Sequence, residues 1–227
     1  MERVHQIVFV IVRKECRRKI CMSFEPQVNV ESTLIRFQAD SQEQIKDRLQ
    51  TFMKPYLKEN KDNLKDCGDD EEADDESGCI VKDSWSAIDC HEKNDYGFTS
   101  STPCVALTLN RIYGWKPEVF ESGNTSSDIP AEVQAKFDGN HVVVGCFGEN
   151  PLDKELVGQI QYSVVGFHKK FYPYKQQRGY LSPVVMIKFK NIREGVLVQV
   201  ECKAYAKNIK HHRNDRAGST HFEIISD

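Results

Sequence analysis

No two cysteines of this 227-residue chain stand three positions apart, and no histidine falls at finger-like spacing from any of them. A structural zinc site draws its donors from such close pairs, so zinc is set aside. Long apolar runs are also missing. IVFVIV, Ile7 to Val12, is only six residues long, whereas a membrane-spanning helix needs about 20 and a signal-peptide core at least about 7. RKECRRK follows it directly, and we read no usable signal or anchor there. Phosphate-loop, dinucleotide, zincin, nucleophile-elbow and kinase patterns are absent. So is a dominant charge: 31 basic residues face 34 acidic ones, which gives no reason to expect nucleic acid.

What is present suits an ordinary folded protein. Apolar residues make up 39% and charged residues 29%, which argues against disorder throughout. The length fits one good-sized domain or two small ones. Eight cysteines are the informative count, and six of them lie from Cys67 onward. An even number spread along the chain favours three disulfides and an oxidising compartment. The alternative is a set of reduced, buried thiols in the cytosol.

Residues 1–21 differ in composition from the rest. Arg3, Arg13, Lys14, Arg17, Arg18 and Lys19 against Glu2 and Glu15 give a local charge of +4. An acidic-lipid or retention signal is one reading. A leader outside the folded unit is the preferred one, with Cys16 and Cys21 unpaired or paired only with each other. The expected division is a basic leader over 1–22 and a β-sandwich over 23–227.

A strand is expected over Ser32 to Gln38. Ser41 and Gln44 form a capping box, and Ile45, Leu49, Phe52, Met53, Tyr56 and Leu57 then recur on one helical face. Pro55 has no amide hydrogen, so the helix should kink or stop nearby. Eight carboxylates fall between Asp66 and Glu76. They lack the EF-hand register and read as a solvated loop pinned at Cys67 and Cys79. From Cys104 onward, CVALTLN, HVVVGC, IQYSVV, VVMIKF, VLVQVEC and HFEII are short, β-branched and separated by Gly, Pro or Asn. Too few helical windows separate them for a parallel sheet. The expected fold is mainly β, an antiparallel sandwich with one added amphipathic helix.

Alternation places one bridge. Val196, Val198, Val200 and Cys202 share a face, as do Val142, Val144 and Cys146. The two cysteines therefore extend apolar faces and are expected to meet inside the sandwich, at an entropic gain of up to about 4 kcal/mol. Asn124 heads NTS, an N-glycosylation sequon in loop chemistry. His211, His212 and His221 lie near Arg213 and Arg216, whose charge opposes a metal, so they read as surface histidines. Cys90 beside His91 is a thiol nucleophile only if the thiol is free, and it is expected to be bridged. No catalytic, metal or cofactor constellation stands out.

Several stretches resemble the extracellular region of the beta subunit of sodium/potassium-transporting ATPases. They are PCVALTLNRIYGWKPEVF (Pro103 to Phe120), CFGENPLDKELVGQIQY (Cys146 to Tyr162), FYPYKQQRGYLSPVVMIKF from Phe171, VECKAYAKNI (Val200 to Ile209) and the closing DRAGSTHFEI. The resemblance runs from about Ser23 to the end. It implies an immunoglobulin-like sandwich and the bridges Cys67–Cys79, Cys90–Cys104 and Cys146–Cys202. It further implies a non-catalytic subunit that helps a catalytic alpha subunit fold, reach the plasma membrane and occlude potassium, on the extracellular side. A free extracellular binding or adhesion module of the same fold is the alternative. The family begins with a cytoplasmic tail and a membrane helix, and residues 1–21 resemble neither. The last aromatic of the family's Tyr-Tyr-Pro-Tyr-Tyr motif is Lys175 here.

FYPYK, Phe171 to Lys175, crowds three rings around one proline between lysines. Pro173 biases Tyr172 toward an extended backbone. In an extended run Tyr172 and Tyr174 would point one way and Phe171 and Pro173 the other. The expectation is that the tyrosines face the alpha subunit, with Phe171 and Tyr180 contributing. The alternative is that all three rings fill the local core.

Overall fold

A computed structural model describes residues 19–38, 42–58, 64–69 and 76–226. The elements run β1 (Met22–Glu25), β2 (Leu34–Phe37), α1 (Gln42–Leu57), β3 (Leu64–Lys65), β4 (Gly78–Cys79), β5 (Cys104–Leu109), α2 (Ala131–Gln134), β6 (His141–Gly148), α3 (Pro151–Leu156), β7 (Gln159–Tyr162), β8 (Gly166–His168), β9 (Val185–Lys190), β10 (Val198–Tyr205) and β11 (Ser219–Ser226). Four strands form one sheet in the order β1-β5-β9-β7. Five form the other, β2-β11-β10-β6-β8.

Every pairing in these two sheets is antiparallel except one. β2 runs parallel to β11, with Ile35 opposite Ile224. The sheets face each other through aromatic contacts. Phe222 of β11 meets Phe24 of β1 at 5.0 Å and Phe189 of β9 at 6.2 Å between ring centroids. Period-two burial explains β10 and β11: Val198, Val200, Cys202 and Ala204 point inward, as do Phe222 and Ile224. Val196 was expected to continue that face but remains 36% exposed, because the strand begins only at Val198. β6 departs from alternation because both faces are covered. Val142 and Val144 enter the main core, while Val143 joins Val133, Phe137 and Tyr205 beneath α2.

Helix α1 touches β1 of one sheet and β2 of the other, and it leans on the 3-10 segment Glu92–Ser100. Ile45, Leu49, Met53 and Tyr56 are its buried stripe, whereas Leu57 stays exposed. Pro55 lies in the last turn and the helix stops two residues later. Ser41 of the expected capping box, and acidic-loop residues 70–75, lie outside the described residues. Glu25 and Arg48 tie α1 to β1 through a two-pronged ion pair of 2.6 and 2.9 Å. Burial pushes the Glu25 carboxyl up, against the opposing pull of Arg48.

Three disulfides join Cys67 to Cys79, Cys90 to Cys104 and Cys146 to Cys202. The last lies buried inside the sandwich, as expected. Cys146 and Cys202 are directly opposed on the neighbouring strands β6 and β10, so the bridge lies within one sheet. Cys21 is disulfide-bonded as well. The core also starts earlier than the expected boundary. Ile20, Cys21 and Met22 are buried, since Gly218 donates its amide to the Ile20 carbonyl and Asn110 to that of Cys21.

Candidate docking surface

The stretch after β8 is a fold-over built by local hydrogen bonds. His168 accepts the Lys170 amide at Nδ1 (3.1 Å), which starts a 3-10 turn over Lys169–Phe171. Tyr172 follows in an extended conformation, and the Tyr172–Pro173 peptide is cis. Gln177 is buried and clasps the next turn from both ends. Its Nε2 donates to the Pro173 carbonyl (2.8 Å), and its Oε1 accepts the Lys175 amide (2.8 Å).

The helical turn at Phe171 breaks the strict alternation expected there. Tyr172 does not face outward. It is 5% exposed, with its ring edge-to-face on Trp115 at 5.3 Å. Its hydroxyl is buried without a partner, and burial drives its pKa well up. Phe171 and Tyr180 are buried too. Of the four expected contact residues only Tyr174 reaches the surface, half-buried and tilted on Tyr180 at 4.9 Å.

Residues from the loop after β5 complete the surface. The Gly114 amide donates to the Tyr174 carbonyl (2.8 Å), and this sets Tyr113 beside Tyr174 in an isolated bridge. Tyr113 is 68% exposed. Arg111 lays its guanidinium over the Tyr174 and Tyr180 rings at 5.6 and 5.3 Å, and its Nε donates to Ser182 Oγ at 3.2 Å. Tyr56 at the end of α1 donates to the Ser182 carbonyl (3.0 Å). Burial pushes the Tyr180 phenol up to about 12, so it stays neutral at physiological pH. Arg111, Tyr113 and Trp115 alternate in NRIYGW, and that alternation was the signal available for them in the sequence.

The acidic disulfide loop docks next door. Lys170 Nζ donates to the Cys67 carbonyl (3.2 Å) and to Asp69 (2.9 Å). His168 lies 3.7 Å from Asp69, but burial lowers its pKa to about 4 and leaves it neutral. The charge that holds Asp69 therefore comes from Lys170.

The remaining candidates are dispersed. Asn124 sits in an exposed turn, its Oδ1 accepting the Glu121 amide. His211 bonds the Ala204 carbonyl, while His221 stands between Glu149 and Glu223 at 2.9 and 2.8 Å. Among the described residues no three metal-capable side chains converge. Cys90 is consumed by its bridge, so its sulfur is no nucleophile. What is left is a surface of two partly or fully exposed tyrosines around a fixed cation, a composition suited to protein contact.

A family model described as sodium/potassium ATPase beta chain matches residues 16–222. This chain belongs to that family. The sodium/potassium-transporting ATPase subunit beta-2 of Drosophila melanogaster is 36% identical over 225 residues, covering 89% of this chain and 68% of that protein. A probable subunit beta-3 of Caenorhabditis briggsae is 32% identical, covering 87% and 62%. Drosophila subunit beta-1 is 33% identical, covering 78% and 59%. The chain thus spans roughly three-fifths to two-thirds of the length of these relatives. No helix among the described residues is long and apolar enough to cross a membrane.

Proposed function

We propose that this chain is a non-catalytic assembly and regulatory subunit of a sodium/potassium pump. Its β-sandwich lies on the extracellular side of the plasma membrane against the catalytic alpha subunit. There it supports the folding and surface delivery of that subunit and the occlusion of potassium. Residues 23–227, with the buried Ile20 to Met22 added, are the docking domain, and Asn124 carries N-linked sugar. The observation that carries this reading is the family match over residues 16–222. The exposed Tyr113 and the half-buried Tyr174 give it a contact surface.

Three bridges fit a domain matured in an oxidising compartment. The test is co-expression of the full chain with a pump alpha subunit, followed by capture from detergent extract. Wild type should retain the alpha subunit. A Tyr113→Ala, Tyr174→Ala double variant should melt like wild type yet retain far less. No capture by the wild-type chain would sink the reading and favour a free extracellular module.

A further inference from the structure

Resting on the docking reading, we propose that Arg111 is a preformed socket for a single carboxylate. The partner would supply it as an aspartate or glutamate in an extracellular loop of the alpha subunit. Arg111 is exposed, yet its guanidinium is held on three sides. Tyr174 and Tyr180 lie within 5.6 and 5.3 Å of it, and Ser182 Oγ takes the Nε hydrogen at 3.2 Å. A guanidinium carries five N–H donors. Among the described residues only the Nε bond is made, and no carboxylate pairs with Arg111. The terminal amines are therefore a planar fork with no acceptor among the described residues, in the geometry that takes a carboxylate with two parallel hydrogen bonds.

The surroundings favour that occupant. An exposed arginine ordinarily loses side-chain freedom when it forms an ion pair, which is why surface pairs contribute little. Here the ring stack and the Ser182 bond order the side chain before any partner arrives. Tyr113, 68% exposed, stands on the rim with Tyr174. A docked loop would cover both rings and shield the pair from water, where charge-assisted hydrogen bonds gain strength. The planar fork of one guanidinium matches the two oxygens of one carboxylate. Trp, Tyr and Arg are also the residue types that dominate interface energetics.

The experiment measures capture of the alpha subunit by the full chain and by Arg111→Gln, Arg111→Lys and Arg111→Glu, each checked for wild-type melting. Arg111→Gln should bind about thirtyfold more weakly, the loss typical of stripping one partner from a covered charge pair. Arg111→Lys keeps the charge but not the fork and should fall between. Arg111→Glu should abolish capture, and an Asp or Glu to Arg exchange in one alpha-subunit extracellular loop should restore it. A second arm keeps the chain wild type and replaces each loop carboxylate of the alpha subunit with its amide. One position should reproduce the loss, whatever the Arg111 variants do to folding. If wild type captures the alpha subunit while Arg111→Gln binds equally well, or no loop amide weakens capture, the socket is overturned and docking stands. If wild type captures nothing, the docking reading itself has failed and the socket falls with it.

Discussion

Tyr172 separates two roles that its sequence neighbourhood runs together. Its ring fills space against Trp115 while its hydroxyl lies buried without a partner. A buried hydroxyl left unpaired costs about 1–3 kcal/mol relative to one in water. Tyr172→Phe should therefore be neutral or stabilising by about 1 kcal/mol, and Tyr172→Ala should cost about 3–5 kcal/mol, as for other buried aromatics. Tyr174→Ala, at the half-exposed neighbour, should change stability little. Urea denaturation of the three variants checks this. A Tyr172→Phe protein markedly less stable than wild type would mean the hydroxyl has a partner after all. The sequence could show that FYPYK was aromatic and that Tyr172 was extended. It could not show which rings turn inward, because that depends on Trp115, far away along the chain, and on the helical turn at Phe171.

At the scale of elements, α1 was legible from its stripe of Ile45, Leu49, Met53 and Tyr56, because helical periodicity is a local signal. Its attachment was not. The Glu25–Arg48 pair joins residues 23 apart in sequence, and charge alone does not choose partners. Likewise the parallel pairing of β2 with β11 and the in-sheet placement of Cys146–Cys202 depend on strand order, which alternation does not report. The ion pair yields a pH prediction. Removing one member of a pair this well covered leaves the other uncompensated, so Arg48→Met should cost about 3 kcal/mol near neutral pH. In the wild type the folded Glu25 carboxyl already sits above its ordinary 4.5. The folded state therefore holds this proton more tightly than the unfolded one. The contribution of that proton is present below pH 4.5 and is lost as pH rises through the folded value. Loss of the guanidinium should raise that value further. The gap between Arg48→Met and wild type should therefore narrow on acidification toward pH 4.5. Melting curves between pH 4.5 and 7.5 measure it, and a constant gap would show that Glu25 does not titrate in that range.

Across the whole molecule, the bridges divide the labour of holding a large β-structure together. Residues paired in the two sheets are distant in sequence, so the unfolded chain must close long loops to find them. Three bridges with both ends among the described residues close loops of very different length: Cys146 and Cys202 are 56 residues apart, Cys90 and Cys104 are 14 apart, and Cys67 and Cys79 are 12 apart. In the chain-entropy account the long bridge stabilises by about 4 kcal/mol and each short one by about 3. Location adds to the contrast. Cys146–Cys202 binds β6 to β10 at the centre of the five-stranded sheet, whereas Cys67–Cys79 closes the acidic loop beside Lys170. Replacing Cys146 and Cys202 together by alanine should therefore lower the urea midpoint more than replacing Cys67 and Cys79. The second change should leave the sheets intact but loosen the loop next to Tyr174 and Arg111. Hydrogen exchange distinguishes the two: the first pair should weaken protection throughout β6, β10 and β11, and the second only around residues 64–79 and 170–180. Equal, global loss of protection in both variants would mean that the acidic loop belongs to the same cooperative unit as the sandwich.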